Sequence, residues 1–251
     1  MVAISRGNSD GAQRELLDTA AKDEVASGAG CPVKLAVFDF DGTSIRGNSP
    51  VLLCRYLVKR KMLRKSVVLR ILLWGLAYSL RLPQNEAWVR GLVFTAFEGK
   101  PKAQVDEFLF RFYDEVIRER FHAQADETMR RYGSEGCVVM VVSATFEPIV
   151  LRAMEHHPFD CQISTRMRVA PDGTYTTQVD GACIEGAEKL AAIHRFADAR
   201  YGAGRWVLEA AYGDHHSDRT LLSAARHAFA VDPDRPLRRT AARFGWTVLD
   251  W

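Results

Sequence analysis

The sequence predicts an α/β fold, in which a doubly wound parallel sheet carries an inserted all-helical domain. Four short apolar runs predict strands, at residues 33–38, 137–142, 206–212 and 228–231. Segments with helical apolar spacing separate these runs, which is the pattern of a parallel sheet with crossover connections. Between residues 50 and 131 the spacing is helical and no strand is predicted, which indicates the insertion.

Helices and one hairpin are predicted along the chain. Pro83 and Pro101 mark breaks between helices of the insertion. Two β-rich runs flank Asp172-Gly173, which indicates a hairpin of residues 162–169 and 174–179. The predicted helices cover residues 50–62, 65–80, 85–97, 102–119, 121–132 and 147–156, and two more begin near Gly186 and Arg219.

The chain divides into three predicted regions. Residues 1–32 are polar and rich in small residues, so we expect a flexible N-terminal extension. Residues 33–48 and 132–251 form the core that contains the sheet, and residues 49–131 form the helical insertion.

Composition restricts the class of protein. The 251 residues are 47% hydrophobic with a formal net charge of +3, which is an ordinary globular balance and does not point to nucleic acid. The longest uncharged apolar run, 71–80, has about half the length of a membrane-spanning helix. The N-terminus lacks the apolar run of a signal peptide, and the five cysteines lack metal-binding spacing. We expect a cytoplasmic protein, with peripheral attachment to a membrane as the open alternative.

Polar side chains follow the first three predicted strands of the core. Asp39 and Asp41 follow the first strand, Ser143 the second, and Asp214 and Asp218 the third. Because the carboxyl ends of parallel strands meet at one edge of a sheet, we expect these side chains to share a site.

The residue types in this set suit phosphoryl transfer. A carboxylate can attack phosphorus, and clustered carboxylates suit Mg²⁺, which prefers oxygen ligands. A hydroxyl and a lysine can hold phosphate oxygens, and Ser143 and Lys189 would supply them.

Four motifs resemble those of the haloacid dehalogenase (HAD) superfamily, in the order that family shows. They are DFDGT at 39–43, VVSAT at 141–145, GAEK at 186–189 and GDHHSD at 213–218. The resemblance, which covers about residues 34 to 251, is to the phosphoserine-phosphatase-like branch, subfamily IB. It implies a Rossmann-like core and makes the helical insertion a cap of the C1 type over the active site.

The resemblance implies a role for each acidic residue. Asp39 would be the nucleophile, and Asp41 would protonate the leaving oxygen and then activate water. Mg²⁺ would be held by the Asp39 carboxylate, the backbone carbonyl of Asp41 and Asp214, with Asp218 supporting the metal site.

The same resemblance implies the phosphate-binding groups. These are Ser143, Lys189 and the backbone amides near Phe40 and Ala144. Ser143 and Lys189 complete the catalytic set with Asp39 and Asp41. His215 and His216 occupy variable loop positions of the fourth motif, so no ligand role is expected for them.

One departure bears on the substrate. Phosphoserine phosphatase carries a glutamate for the substrate ammonium shortly after the first motif, and Asn48 stands at the matching position. No acidic residue lies between Asp41 and Glu86, which puts phosphoserine in doubt.

The first half of the insertion is basic and also apolar and aromatic. Its basic residues have no acidic neighbour: Arg46, Arg55, Lys59, Arg60, Lys61, Arg64, Lys65, Arg70 and Arg81. Such helices could be a bundle with a solvated basic face, a docking surface for an anionic membrane or a protein, or a cationic rim around an anionic substrate. Some relatives in this branch act on lipid phosphates such as phosphatidylglycerophosphate.

These observations predict a magnesium-dependent phosphatase that hydrolyses a phosphate monoester through an aspartyl-phosphate. The substrate would be a phosphorylated small molecule or a lipid head group, with phosphatidylglycerophosphate as the lipid example and phosphoserine as an alternative. A non-catalytic phosphate-binding or regulatory protein and phosphotransfer to another acceptor remain open. The intact catalytic set favours catalysis, and no nucleic-acid partner is expected.

Overall fold

The computed structural model describes residues 31–62 and 94–251. The predicted helix 65–80, residues 85–93 of the predicted helix 85–97 and all but the end of the predicted extension 1–32 lie outside the described residues. The flexibility predicted for the extension and the predicted domain boundaries stay predictions.

The main sheet has six parallel strands and confirms the predicted α/β class. Its strands are β1 (Val33–Phe38), β2 (Val138–Phe146), β3 (Cys161–Thr165), β6 (Trp206–Gly213), β7 (His227–Val231) and β8 (Thr247–Leu249), in the spatial order β3-β2-β1-β6-β7-β8. Phe38, the last residue of β1, pairs with Val141 on one side and with Tyr212 on the other. The carboxyl ends of β1, β2 and β6 therefore lie side by side.

The predicted hairpin is right at its turn and wrong in its first strand. The hairpin consists of β4 (Met167–Val169) and β5 (Tyr175–Val179), and Asp172 Oδ1 accepts a hydrogen bond of 2.9 Å from the Thr174 amide at the turn. Cys161–Thr165, most of which the sequence pattern assigns to the hairpin, instead pairs in parallel with β2. Cys161–Thr165 and β4 are both extended, so the alternating pattern of their residues does not reveal where one strand ends and the next begins. The chain passes from the main sheet to the hairpin at Arg166, which is exposed.

Seven α-helices lie among the described residues. They are α1 (Ser49–Lys59), α2 (Lys102–Phe112), α3 (Ala123–Ser134), α4 (Glu147–Met154), α5 (Ala187–Tyr201), α6 (Arg219–Ala224) and α7 (Arg235–Phe244). The predictions missed α7 and β8. The prediction of one helix over 102–119 is also wrong, because α2 ends at Phe112 and a π-helical turn (Tyr113–Ile117) and a 3₁₀ turn (Arg118–Arg120) follow. The apolar spacing continues through this region, so the sequence pattern does not show the wider turn.

Helices cover both faces of the sheet, as a doubly wound fold requires. Leu35 and Val37 of β1 pack in one core with residues of α5, α6 and α7. Ala36 and Phe38 point to the other face and pack in a second core with residues of α3 and α4. Strand β1 is buried on both sides, and this fixes the position of the residue that follows it.

The two ends of the segment between β1 and β2 meet beside the end of β1. The Arg46 amide donates to the Arg120 carbonyl at 2.8 Å, and the His122 amide donates to the Ser44 carbonyl at 2.9 Å. The described residues of this segment form helices and turns, in agreement with the helical insertion. None of the described helices is long and apolar enough to cross a membrane.

Candidate active site

Asp39 is held at the end of the central strand by hydrogen bonds to its backbone. Its amide donates to the Tyr212 carbonyl of β6 at 2.9 Å, and its carbonyl accepts from Ser44 Oγ at 2.6 Å. The Phe40 carbonyl then accepts from the amides of Ser44 and Ile45 at 3.0 Å each, which closes a tight turn. The turn fixes where the Asp39 side chain leaves the sheet.

Gly42 allows the first motif to approach β6 closely. Its φ is +72°, and a Cβ built there would lie 2.1 Å from Asp214 Oδ2. A side chain at residue 42 would therefore displace the Asp214 carboxylate, and glycine also suits the left-handed backbone conformation.

Three carboxylates and one ammonium group converge at this edge of the sheet. Single carboxylate oxygens of Asp39, Asp214 and Asp218 all lie within 4.8 Å of one another. Lys189 Nζ lies 2.7 Å from Asp39 Oδ1 and 2.6 Å from Asp218 Oδ1. Asp39, Lys189 and Asp218 are buried, and Asp214 is half-buried. The structure thus brings together four of the predicted site residues.

The loop after β6 orients the two later carboxylates. Asp218 Oδ2 accepts a hydrogen bond of 3.3 Å from the His215 amide, and the Asp214 carbonyl accepts one of 2.9 Å from the Asp234 amide. A Cβ on Gly213 would lie 2.8 Å from Asp218 Cβ, so this position also needs glycine.

Burial and mutual repulsion disfavour full ionisation of the carboxylates. Burial raises the pKa of Asp39 to about 7, against the opposing effect of Lys189. Burial, together with the charges of Asp39 and Asp218, raises the pKa of Asp214 to about 8. Burial alone would lower the pKa of Lys189, but the carboxylates of Asp218 and Asp39 outweigh it and hold this pKa above its ordinary value.

The same cluster fits a divalent metal ion. If Asp39, Asp214 and Asp218 are all ionised, Lys189 leaves two negative charges uncompensated, which one divalent cation would balance. The donors are carboxylate oxygens, which Mg²⁺ prefers, and one oxygen from each lies close enough to share an ion.

Asp41 lies apart from this cluster in a cradle of hydroxyl and amide donors. Its Oδ1 accepts from the Ser49 amide at 2.5 Å, and its Oδ2 accepts from Ser49 Oγ at 3.0 Å and Thr145 Oγ1 at 2.6 Å. Ser49 is the first residue of α1, so the positive end of the helix dipole also faces this carboxylate. Burial raises the pKa of Asp41, and the hydrogen bonds from Thr145 and Ser49 oppose that shift.

The predicted phosphate-binding residues lie beside these two groups. Ser143 is buried on β2, and its Oγ accepts a hydrogen bond of 3.0 Å from the Thr145 amide. Ala144 follows Ser143 on β2. Phe40 lies between Asp39 and Asp41 in the sequence, and its side chain is fully buried. Their contacts with phosphate stay predictions.

Sequence reasoning missed Ser49 and Thr145 as partners of Asp41. Asn48-Ser49-Pro50 carries a recognisable helix-start pattern, and Asn48 Oδ1 caps α1 by accepting from the Val51 amide at 3.2 Å. The sequence pattern already predicts a helix from residue 50, but it does not show that the first residue of this helix contacts Asp41. Asn48, the residue predicted to match the substrate-binding glutamate of phosphoserine phosphatase, thus has a structural role as a helix cap.

Comparisons with known proteins agree with this geometry. A family model described as haloacid dehalogenase-like hydrolase matches residues 36–223. A protein of Mycobacterium tuberculosis named as a probable phosphatase is 28% identical over 220 residues, which cover 86% of this chain and 75% of that protein.

Two solved structures show the same fold. One, a Bordetella pertussis protein described as having unknown function, matches with a TM-score of 0.77 and 21% identity over 87% of this chain and 99% of that chain. The other is described as a phospho-aspartyl intermediate analogue of phosphoserine phosphatase. It matches with a TM-score of 0.58 and 21% identity over 87% of this chain and 93% of that chain.

We predict that Mg²⁺ stabilises the protein more at high pH than at low pH. The pKa values of Asp39 and Asp214 are raised to about 7 and about 8, so between the ordinary carboxyl pKa of 3.8 and those values the metal-free folded state binds more protons than the unfolded state. This contribution to the unfolding free energy is lost as pH rises through that window, where bound Mg²⁺ would replace the protons.

Thermal unfolding with Mg²⁺ and with chelator, at about pH 5.5 and about pH 8.5, measures this effect. Asp214→Asn removes one titrating ligand, so the pH dependence of the Mg²⁺-induced rise in Tm should shrink. A rise that is the same at both pH values would contradict the prediction.

Proposed function

The chain belongs to the haloacid dehalogenase-like hydrolase family, and on that premise we propose that it hydrolyses a phosphate monoester through a covalent aspartyl-phosphate on Asp39. The observation that carries the proposal is the convergence of Asp39, Lys189 and two further carboxylates at the end of the central strand. The named phosphatase among its relatives supports this activity. The phosphoserine phosphatase with an analogue of a phospho-aspartyl intermediate supports this type of intermediate.

The proposed reaction has two steps. In the first, a carboxylate oxygen of Asp39 attacks phosphorus and the bond to the leaving oxygen breaks, while Asp41 donates a proton to that oxygen. In the second, Asp41 accepts a proton from water, and the water oxygen attacks the aspartyl-phosphate and releases inorganic phosphate. Asp39 and Asp41 return to their starting states. The raised pKa of buried Asp41 suits a group that must carry a proton at the start.

Asp39, Asp214 and the backbone carbonyl of Asp41 would hold Mg²⁺, with Asp218 in support. When bound, the ion would neutralise charge on the transferring phosphoryl group. Lys189 would also neutralise such charge, because its ammonium group already lies within hydrogen-bond distance of Asp39. Ser143 and the amides near Phe40 and Ala144 would bind the remaining phosphate oxygens.

For the substrate we propose a phosphate on an anionic molecule, with a lipid phosphate such as phosphatidylglycerophosphate as the favoured class. Asn48 is occupied as a helix cap, and no acidic residue lies between Asp41 and Glu86 to pair with a substrate ammonium. Arg55 and Lys59 on α1 are exposed and positive. Phosphoserine or another small phosphate is the alternative, which the fold of the phosphoserine phosphatase neighbour favours.

The predicted cap, residues 49–131, would close over the site and exclude water. The contacts of Arg46 with Arg120 and of Ser44 with His122 tie the later part of this segment to the loop that follows Asp39. A movement of the segment would therefore act directly beside the nucleophile.

Asp39→Asn should abolish Mg²⁺-dependent release of inorganic phosphate, by roughly a thousandfold or more, because the amide is a poor nucleophile. The change costs little in volume, so circular dichroism should show an intact fold. Retained turnover would refute Asp39 as the nucleophile. Failure of the folded wild-type protein to hydrolyse any tested phosphate would favour a non-catalytic binding protein.

Thr145→Val should lower kcat by roughly ten- to a hundredfold, less than removal of Asp41 itself, because it removes one of the three hydrogen bonds that position the acid. The loss should be larger for an alkyl phosphate than for para-nitrophenyl phosphate, whose leaving group needs no protonation. Thr145→Ser keeps the hydroxyl and should restore activity. An equal loss on both substrates would argue against a role in positioning the acid.

A substrate panel separates the lipid from the alternatives. We expect turnover of phosphatidylglycerophosphate in vesicles to exceed that of phosphoserine, sugar phosphates and nucleotides, with Mg²⁺ present and not with chelator. Preference for phosphoserine would contradict the argument from Asn48, and transfer of phosphate to an added alcohol would identify a phosphotransferase.

A further inference from the structure

Helix α7 presents a ridge of four arginines to solvent: Arg235, Arg238, Arg239 and Arg243. Its buried residues, Leu237 and Ala241, lie on the opposite side and pack in the core with α5 and α6. At 3.6 residues per turn the four arginines occupy an arc of about 140° centred away from the buried face. All four are exposed.

The ridge has little local compensation by acidic residues. Helix α7 contains no acidic residue, and Asp234 at its start accepts a hydrogen bond of 2.7 Å from the Leu237 amide as the helix cap. Asp250 lies 3.7 Å from Arg238, and both side chains are exposed, so that pair is weak. The whole chain has 34 basic and 31 acidic residues, so its formal net charge is +3. The four positive charges of the ridge are more than this net charge.

One exposed apolar side chain, Phe244, follows the last arginine of the ridge, and at about 100° per residue it leaves the helix near the side of Leu237. Phe244 is 58% exposed and Val248 on the edge strand β8 is 36% exposed. Trp246 stacks on Phe244 with ring centroids 5.5 Å apart, and the Arg243 guanidinium lies 5.7 Å from the Phe244 ring. Only two other large apolar side chains of the described residues, Val58 and Val169, are comparably exposed. The catalytic site uses none of these groups.

We propose that the carboxyl end of α7, with Arg239, Arg243 and Phe244, docks on an anionic lipid surface. The arginines would contact lipid phosphates, and the Phe244 ring would enter the boundary between head groups and acyl chains. Nucleic acid or an acidic protein segment would also neutralise the arginines, but an anionic bilayer provides both the negative charge and the apolar region that this surface matches. This docking is independent of which phosphate the enzyme hydrolyses.

Sedimentation of the full chain with vesicles tests the proposal. One set of vesicles contains phosphatidylcholine alone, and the other contains equal amounts of phosphatidylcholine and phosphatidylglycerol. We expect binding to the anionic vesicles only, weakened by added salt because exposed charges are screened. Phe244→Ala should lower this binding further at high salt, where the apolar contribution remains.

A matched pair of double variants separates the ridge from general charge. Arg239→Gln with Arg243→Gln should lower the vesicle partition coefficient about thirtyfold, since each arginine near a lipid surface contributes roughly fivefold. Arg111→Gln with Arg168→Gln removes the same charge from exposed positions on α2 and β4 and should leave binding unchanged. Neither pair touches the candidate active site, so phosphate release from a soluble substrate should stay at the wild-type level in both.

Three results would overturn the proposal. These are no binding to anionic vesicles, equal loss in both double variants, and equal binding to neutral vesicles. Binding to duplex DNA or RNA that only the Arg239→Gln, Arg243→Gln variant loses, without vesicle binding, would assign the ridge to nucleic acid. None of these results would affect the proposed phosphatase activity, which the phosphate-release assay measures separately.

Discussion

The buried contact of Lys189 with Asp39 and Asp218 is the interaction on which the rest of the site depends. Its two distances, 2.7 and 2.6 Å, join α5, β1 and the loop after β6 through one ammonium group. Removing one partner of a buried ion pair typically costs about 3–5 kcal/mol, because a charge is left without compensation. The cluster is therefore both the proposed chemical centre and a place where burial disfavours the charged carboxylates.

That charge arrangement depends on backbone geometry that only small residues permit. Gly42 and Gly213 leave room for the carboxylates of Asp214 and Asp218 at distances that a Cβ would block. The close approach concentrates negative charge, and burial raises the pKa of Asp39 and Asp214 as a consequence. The same packing that disfavours full ionisation in the metal-free protein is what would make a divalent cation bind well.

The candidate site could be predicted better than the periphery of the fold. Asp39, Asp214 and Asp218 could be assigned because strand ends in a parallel sheet must share an edge, whatever their separation in sequence. The contact of Ser49 with Asp41 could not, since it depends on where α1 begins relative to the sheet, and that of Thr145 depends on which side of the end of β2 faces Asp41. The alternation in β3 does not identify its partner strand, so the sequence pattern places it in the hairpin, and β8 has only three residues, too few for a pattern.

In the proposed mechanism, the cradle of Asp41 would connect the helical segment to acid catalysis. Its donors come from two elements, Thr145 from β2 of the core and Ser49 from α1, the first helix of the segment predicted to form the cap. Ser49 Oγ and Thr145 Oγ1 also lie 2.6 Å apart, so the two elements contact each other at the carboxylate. A displacement of α1 would remove two of the three hydrogen bonds to Asp41 without moving Asp39, Lys189 or Asp218. The proposed nucleophile is thus fixed by the sheet, whereas the proposed acid has all three of its hydrogen bonds only when the helix is in place.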